Sequence, residues 1–271
     1  MPSPIEYTVE LLDAHAHLLG VALRIDRPNT HTTLSLPTWI PGSYLVREFA
    51  QHLQHLRAEH DGAAVVVPPL PPPPWPVPLP AGAAPAPFWL SSSLSSFSAS
   101  VRPAYFAPQR LFFNGPSVCL QVHGRERVPH TLALLAPDPM HAWVAAQTAT
   151  AHWQVSTGLP QAATEDDDDT DALRGFGTYI AQDYDELVDC PFEVGVLWQQ
   201  DFEVCGVPHR FVVSGAPAGF NGQRLIADTQ RICEAQIQFW HGDQAPPFTH
   251  YVFQLHDCAD GCGGLEHSNS T

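Results

Sequence analysis

The sequence predicts a mainly β, sandwich-like N-terminal domain followed by a region of mixed α and β structure. Two observations lead to this prediction. Apolar and polar residues alternate in several short runs before residue 160, and a long helical pattern occurs only later, over 221–240. Apolar residues make up 44% of the 271 residues, which is enough material for a large core.

Strand patterns dominate the first 160 residues. The predicted strands are 5–11, 17–25, 32–36, 88–100, 117–123 and 131–136. Among them, 47–59 is interpreted as a short helix, because Phe49, Leu53 and Leu56 would share one side. Short strands joined by turns are typical of an antiparallel β domain.

Two unusual segments interrupt this pattern. In 68–87, eleven of twenty residues are proline, which favours polyproline II or disorder in a surface insertion; binding to a proline-recognising domain is the alternative. The run 164–171 contains six acidic residues and predicts a solvated linker. We therefore expect a β-rich domain over 1–160, an acidic linker over 161–182 and a second domain over 183–271.

The second domain is predicted to combine strands with one helix. Strands are expected over 194–198 and 251–255, with a hairpin that turns at 206–208. Asn221 is a suitable N-cap for the helix over 221–240. The residues predicted to make the apolar contacts of this helix are Leu225, Ile226, Ile232, Ile237 and Phe239.

Charge and hydropathy restrict the class of partner. The formal net charge is −16, and all 12 basic residues are arginine. Such acidity argues against nucleic acid or an anionic membrane as the main partner. The sequence shows neither a signal peptide nor an apolar run of about 20 residues that would span a bilayer. We expect a cytoplasmic protein whose oligomeric state stays open, a homo-oligomer included.

Six runs occur in an order that resembles a known family. They are 36–49 (LPTWIPGSYLVREF), 100–105 (SVRPAY), 112–115 (FFNG), 183–191 (DYDELVDCP), 206–211 (GVPHRF) and 263–271 (GGLEHSNST). Together they resemble the glycyl aminopeptidase family. These are zinc metallopeptidases with a β-rich N-terminal domain, a thermolysin-like catalytic domain and often a PDZ domain. The resemblance implies that 183–271 is the opening, α+β part of such a catalytic domain.

The same resemblance implies a substrate site at Gly263, Gly264, Leu265, Glu266 and His267. In the family this segment forms a strand edge beside the metal, where glycines let a peptide backbone approach closely. Glu266 would hold the free α-ammonium of the peptide substrate, and His267 would support Glu266 or line the pocket. The partners implied are therefore the N-termini of peptides. The four acidic residues of 183–189 are interpreted as part of a domain junction rather than as acid–base catalysts.

The sequence departs from the family at the metal site. Zinc is expected for the full-length family enzyme and needs a His-Glu-x-x-His helix, yet none of the 15 histidines is followed by glutamate. We therefore expect no catalytic or metal-ligating residue in this chain, which would be an inactive N-terminal fragment of an aminopeptidase. The alternative is a non-catalytic β-rich module that binds peptides or a protein.

Overall fold

The protein is described by a computed structural model. The structure describes residues 3–29, 32–40, 43–67, 74–77, 86–96, 104–145, 148–163, 174–259 and 263–271. Most of the proline-rich segment 68–87 and the acidic run 164–171 lie outside these residues, so both interpretations stay predictions.

The described part of the chain is mostly β structure. The strands are, in chain order, β1 (Ile5–Asp13), β2 (Leu18–Ile25), β3 (Thr33–Ser35), β4 (Leu53–His60), β5 (Ala63–Val65), β6 (Trp75–Pro76), β7 (Phe88–Ser95), β8 (Tyr105–Ala107), β9 (Arg110–Phe113), β10 (Gln121–Val122), β11 (His130–Leu134), β12 (Gln154–Ser156), β13 (Gly177–Ala181), β14 (Phe192–Gly195), β15 (Leu197–Val204), β16 (Val207–Ser214) and β17 (Tyr251–His256). The helices are α1 (Ala142–Ala145), α2 (Tyr184–Asp189) and α3 (Gly222–His241), and 3₁₀ turns cover Phe49–His52, Gly115–Ser117 and Thr148–His152.

A seven-stranded sheet forms one wall of the N-terminal region. Its order is β13-β11-β1-β2-β7-β4-β5. The predicted alternation is confirmed in β1, where Ile5, Tyr7, Val9 and Leu11 are buried and the residues between them are less so. The strand pairs of this sheet are antiparallel except for one, because β1 pairs with β11 in parallel. A long connection separates these two strands in the chain, and only such a connection allows parallel pairing.

Two smaller sheets close the other side of the same core. Their orders are β10-β3-β6 and β12-β14-β9-β8. Side chains from all three sheets, such as Leu132, Trp75 and Phe113, belong to one continuous buried cluster. Burying both inner faces between packed sheets is the principle of a β-sandwich, so the predicted sandwich-like architecture is confirmed.

The helix predicted over 47–59 is wrong. Only the 3₁₀ turn Phe49–His52 is helical, and the chain then enters β4. Pairing of β4 with β7 satisfies its backbone groups and buries Leu53, Ala58 and His60. Because this pairing comes from residues far away in the chain, it overrides the local helical pattern.

The C-terminal region is a separate three-stranded sheet with one long helix. Strands β15 and β16 form the predicted hairpin, and β17 pairs with β16 in parallel. Helix α3 begins after Asn221, whose side chain accepts a hydrogen bond from the Arg224 amide at 3.0 Å, so the predicted cap is confirmed. In the described ranges no helix has the length and apolar character needed to cross a bilayer.

Helix α3 buries fewer of its apolar residues than the sequence predicted. Ile226 and Ile237 lie about three turns apart on one face and are buried. Ile232 and Phe239 are 62% and 76% exposed, because they fall on the opposite side of the helix. These two residues therefore lie outside the buried core, and Phe239 has a ring contact, an edge-on one with Trp240.

Strand pairing runs across the predicted domain boundaries. Strand β13 falls within the predicted linker but forms an edge of the seven-stranded sheet, and β14 falls within the predicted second domain but pairs with β9 and β12. Arg110 strengthens the latter pairing by donating two hydrogen bonds of 2.6 Å to Glu193. The boundaries themselves stay a prediction.

Candidate functional site

The first part of the segment 263–271 docks onto the N-terminal region through Leu265. Leu265 is only 5% exposed and belongs to the main N-terminal core cluster. Residues 263–267 have no strand structure, so the expectation that this Gly-rich segment forms a strand edge is wrong here. Burial of the Leu265 side chain attaches the segment to the N-terminal core.

Residues 269–271 make the sheet contact instead. The Val252 amide donates to the carbonyl of Asn269 at 3.0 Å, the Thr271 amide donates to that of Val252 at 3.0 Å, and the Gln254 amide donates to that of Thr271 at 2.8 Å. Ser270 thereby forms a parallel bridge with Val252. The chain therefore reaches the edge of β17 just after the Gly-Gly-Leu-Glu-His run.

Asp189 at the end of α2 holds the residues that follow Glu266. Its carboxylate accepts a hydrogen bond from His267 Nδ1 at 3.1 Å and another from the Ser268 amide at 2.9 Å. Burial raises the pKa of Asp189, but these hydrogen bonds outweigh burial and hold its pKa below the ordinary value. Asp189 is therefore a charged anchor that grips one side chain and one main-chain group of the segment.

Asn269 provides a second anchor on the same side. Its Nδ2 donates to the carbonyl of Gly158 at 3.0 Å, and its Oδ1 accepts from the thiol of Cys190 at 3.4 Å. A side chain at Gly158 would place its Cβ 2.3 Å from Asn269 Oδ1, so only glycine leaves room for this contact. Burial raises the pKa of Cys190 to about 12, which keeps the thiol protonated and able to donate.

Glu266 is an exposed residue whose two neighbours in the chain have buried side chains. Leu265 before it is buried and the side chain of His267 after it is only 2% exposed, whereas Glu266 is exposed. Beside it, a side chain at Gly264 would meet no described atom within 4 Å, and Gly264 does not adopt a positive φ. The described residues therefore place no steric constraint on position 264, and the open space suits the approach of another chain.

The five predicted site residues, which are consecutive in the chain, differ in their exposure. Gly263, Gly264 and Glu266 are exposed, Leu265 is a core residue and His267 is an anchor bound to Asp189. The sequence pattern does not reveal that Leu265 and His267 serve packing. It also missed Gly158, Cys190 and Asn269 as supports, because these residues meet only in the folded chain.

The acidic set around α2 has mostly structural duties. Asp183 caps α2 by accepting from the Glu186 amide at 2.9 Å, and Glu186 accepts from the Gln182 amide at 2.6 Å. With Asp189 bound to the terminal segment, Asp185 is the exposed carboxylate of the four. These four residues line a cleft of about 570 Å³ together with Cys190 and Asn269, and Glu266 lies outside its lining.

The residues present do not fit a zinc site. Within the described ranges, no group of three or more His, Cys, Asp or Glu side chains is arranged to hold a metal ion. The sequence contains no pair of histidines in the His-Glu-x-x-His spacing that such a site uses. The chemistry available at this segment is accordingly that of a carboxylate beside an open, glycine-lined surface.

Comparison with known proteins shows a family match for the N-terminal part of the chain. The profile of the Peptidase M61 N-terminal domain family matches residues 6–196. A crystal structure of an aminopeptidase N family protein from Idiomarina loihiensis superposes with a TM-score of 0.83 at 34% identity, covering 98% of this chain and 41% of that protein. This chain therefore spans about two fifths of that relative's length. A search of curated proteins found no match.

More distant structures share the fold. An M1 zinc metallopeptidase from Deinococcus radiodurans superposes with a TM-score of 0.54 at 12% identity, covering 99% of this chain and 59% of that one. A mutant of that enzyme bound to a Tyr-Ser-Ala substrate gives a TM-score of 0.55 at 12% identity over the same shares. At this level of identity the likeness concerns the arrangement of strands and helices.

Proposed function

Because this chain belongs to the Peptidase M61 N-terminal domain family, we propose that it is the N-terminal, substrate-gripping part of a zinc aminopeptidase of the glycyl aminopeptidase type. Glu266 receives the free α-ammonium of a peptide, and the surface beside Gly263 and Gly264 receives the peptide backbone. The observation that carries this proposal is the exposure of Glu266 between two anchored neighbours.

A carboxylate in this setting suits recognition of an amino terminus. An ammonium group offers three donors and a positive charge, and a charge-assisted hydrogen bond to a carboxylate is about twice as strong as a neutral one. A fixed carboxylate selects peptides by their free end, because an acylated amine carries no charge. Support also comes from the relatives named as aminopeptidase N family protein and M1 zinc metallopeptidase.

Hydrolysis itself is assigned to sequence outside these 271 residues. A bound zinc ion would supply Lewis-acid polarisation of the scissile carbonyl and an activated water. This chain would contribute binding and orientation of the substrate's amino end. We therefore expect the 271-residue chain alone to have no peptidase activity.

The test compares the longer polypeptide that contains this chain with its Glu266→Gln variant. We expect the parent to release N-terminal residues from free peptides, to lose activity on addition of a chelator, and to ignore N-acetylated peptides. Glu266→Gln should lower kcat/KM by about a hundredfold, the scale of a lost charge-assisted contact to substrate. Equal rates on free and acetylated peptides, or turnover by the purified 271-residue chain, would contradict the proposal.

A further inference from the structure

We propose that Asp189 is a positioning residue for Glu266: by binding His267 and Ser268 it fixes the direction in which the Glu266 carboxylate meets a peptide's amino group. This inference rests on the function proposed above for Glu266. It adds a residue from the N-terminal fold, far from the Gly-Gly-Leu-Glu-His run in sequence, to the determinants of substrate binding.

The backbone around Glu266 is fixed on both sides of this residue. Leu265 is held in the main core on one side. On the other side, the His267 ring and the Ser268 amide both bind the single carboxylate of Asp189. One freely exposed residue between two fixed neighbours has few backbone orientations open to it, so its side chain samples a small region of space.

Asp189 is itself well supported. It ends α2, whose residue Val188 lies so close to Gly115 that a Cβ there would sit 2.7 Å from the Val188 Cα. Cys190, the next residue, binds Asn269. Asp189 therefore holds the terminal segment in a fixed position relative to the N-terminal core.

The hydrogen bond between His267 Nδ1 and Asp189 also holds the His267 ring. Because a carboxylate only accepts, Nδ1 carries a proton in this contact, and the ring is held in one orientation. The His267 side chain is 2% exposed, so loss of Asp189 would leave a buried donor without a partner, and the ring would reorient. A moved His267 would carry Glu266 with it, because the two residues are consecutive.

The carboxylates of Asp189 and Glu266 differ in how accessible they are to a ligand. Two donors occupy the Asp189 carboxylate, whereas Glu266 is exposed. An incoming ammonium would therefore meet Glu266 as the accessible carboxylate of this segment, and Asp189 would act through its neighbours.

The experiment uses the 271-residue chain and glycinamide as the probe of amine binding. Backbone amide shifts of 264–267 report glycinamide affinity, and imidazole ¹⁵N shifts report the state of the His267 ring. We expect Asp189→Asn to move the ring signals and to weaken glycinamide binding by roughly tenfold, since a small misplacement of a binding group has effects of this size. The matched control is Asp185→Asn, an exposed carboxylate on the same helix, which should change neither readout.

A second variant keeps the test decisive if Asp189→Asn fails to fold. His267→Ala removes the donor from the other side and should weaken glycinamide binding to a similar extent. If both variants fold, the double mutant should bind no more weakly than Asp189→Asn alone, because Asp189→Asn already breaks the contact with His267.

Two contrary results are distinguishable. Ring signals that move while glycinamide affinity stays within twofold of wild type would overturn the positioning role and leave a purely structural contact. Absence of glycinamide binding by the wild type, or unchanged binding by Glu266→Gln, would refute the function proposed for Glu266. The positioning role would then fall with it, even with the ring signals still reporting the contact with Asp189.

Discussion

The N-terminal and C-terminal regions bury their apolar side chains to different extents. In the N-terminal region, three sheets enclose one continuous cluster that includes fully buried Trp75 and Phe113. In the C-terminal region, the buried clusters have three residues each, and Phe239 and Trp240 of α3 are 76% and 71% exposed. A core of this size contributes little stability by itself, because burial of apolar area is the main favourable term in folding.

Because the C-terminal region has so small a core, its stability should depend on the docked segment 263–271. It joins the thin C-terminal sheet to the thick N-terminal core through Leu265, while Asp189 and Asn269 supply polar anchors. We therefore expect the position of the C-terminal sheet to depend on these contacts with the N-terminal region. The variants Leu265→Ala, Gly158→Ala and Asp189→Asn each weaken one of these contacts between the two regions.

The largest effect is expected for Leu265→Ala. Loss of a buried leucine leaves a cavity and costs about 2–5 kcal/mol. Because Leu265 is the residue of the segment that enters the main core, its loss should release 263–271 and reduce hydrogen-exchange protection at Val252 and Thr271. Leu255→Ala, at a side chain that is 44% exposed, is the control. Equal losses of protection in the two variants would show that the two regions do not depend on this link.

A smaller effect is expected for Gly158→Ala. The added Cβ would lie 2.3 Å from Asn269 Oδ1, so the Asn269 anchor must move at a cost of about 1–3 kcal/mol. The matched control is Gly264→Ala, where the new methyl group meets no described atom within 4 Å. Urea unfolding should separate the two variants clearly. A destabilised Gly264→Ala would mean that position 264 is constrained by the fold and not reserved for a ligand.

The smallest effect is a pH dependence of the Asp189 anchor. Because the pKa of Asp189 is lower in the folded chain, its contribution is present above the ordinary aspartate value of about 3.9 and is lost as the pH falls through the folded pKa. Wild type should exceed Asp189→Asn in stability by about 1 kcal/mol at pH 6, and this gap should close towards pH 3. The measurement is urea unfolding across this range, with Asp185→Asn as the control that shows no such gap. A gap that widens in acid would contradict the assigned anchor.

Several elements could be predicted from local sequence alone. The alternation in β1 and β2 and the capped amphipathic pattern of α3 were sufficient, because each depends on residues a few positions apart. The structure of 47–59 could not be predicted locally, because a segment with a helical pattern forms strand β4 by pairing with β7. The parallel pairing of β1 with β11 likewise depends on a strand more than a hundred residues away.

The candidate site shows the same limit. The sequence by itself determined the family resemblance, and from that resemblance came the prediction that Glu266 binds the substrate's amino group. Only the tertiary structure decided that Leu265 enters the N-terminal core and that His267 binds Asp189, 78 positions earlier in the chain. The physical reason is that exposure and anchoring arise from contacts between distant segments, and a pattern of neighbouring residues carries no information about them.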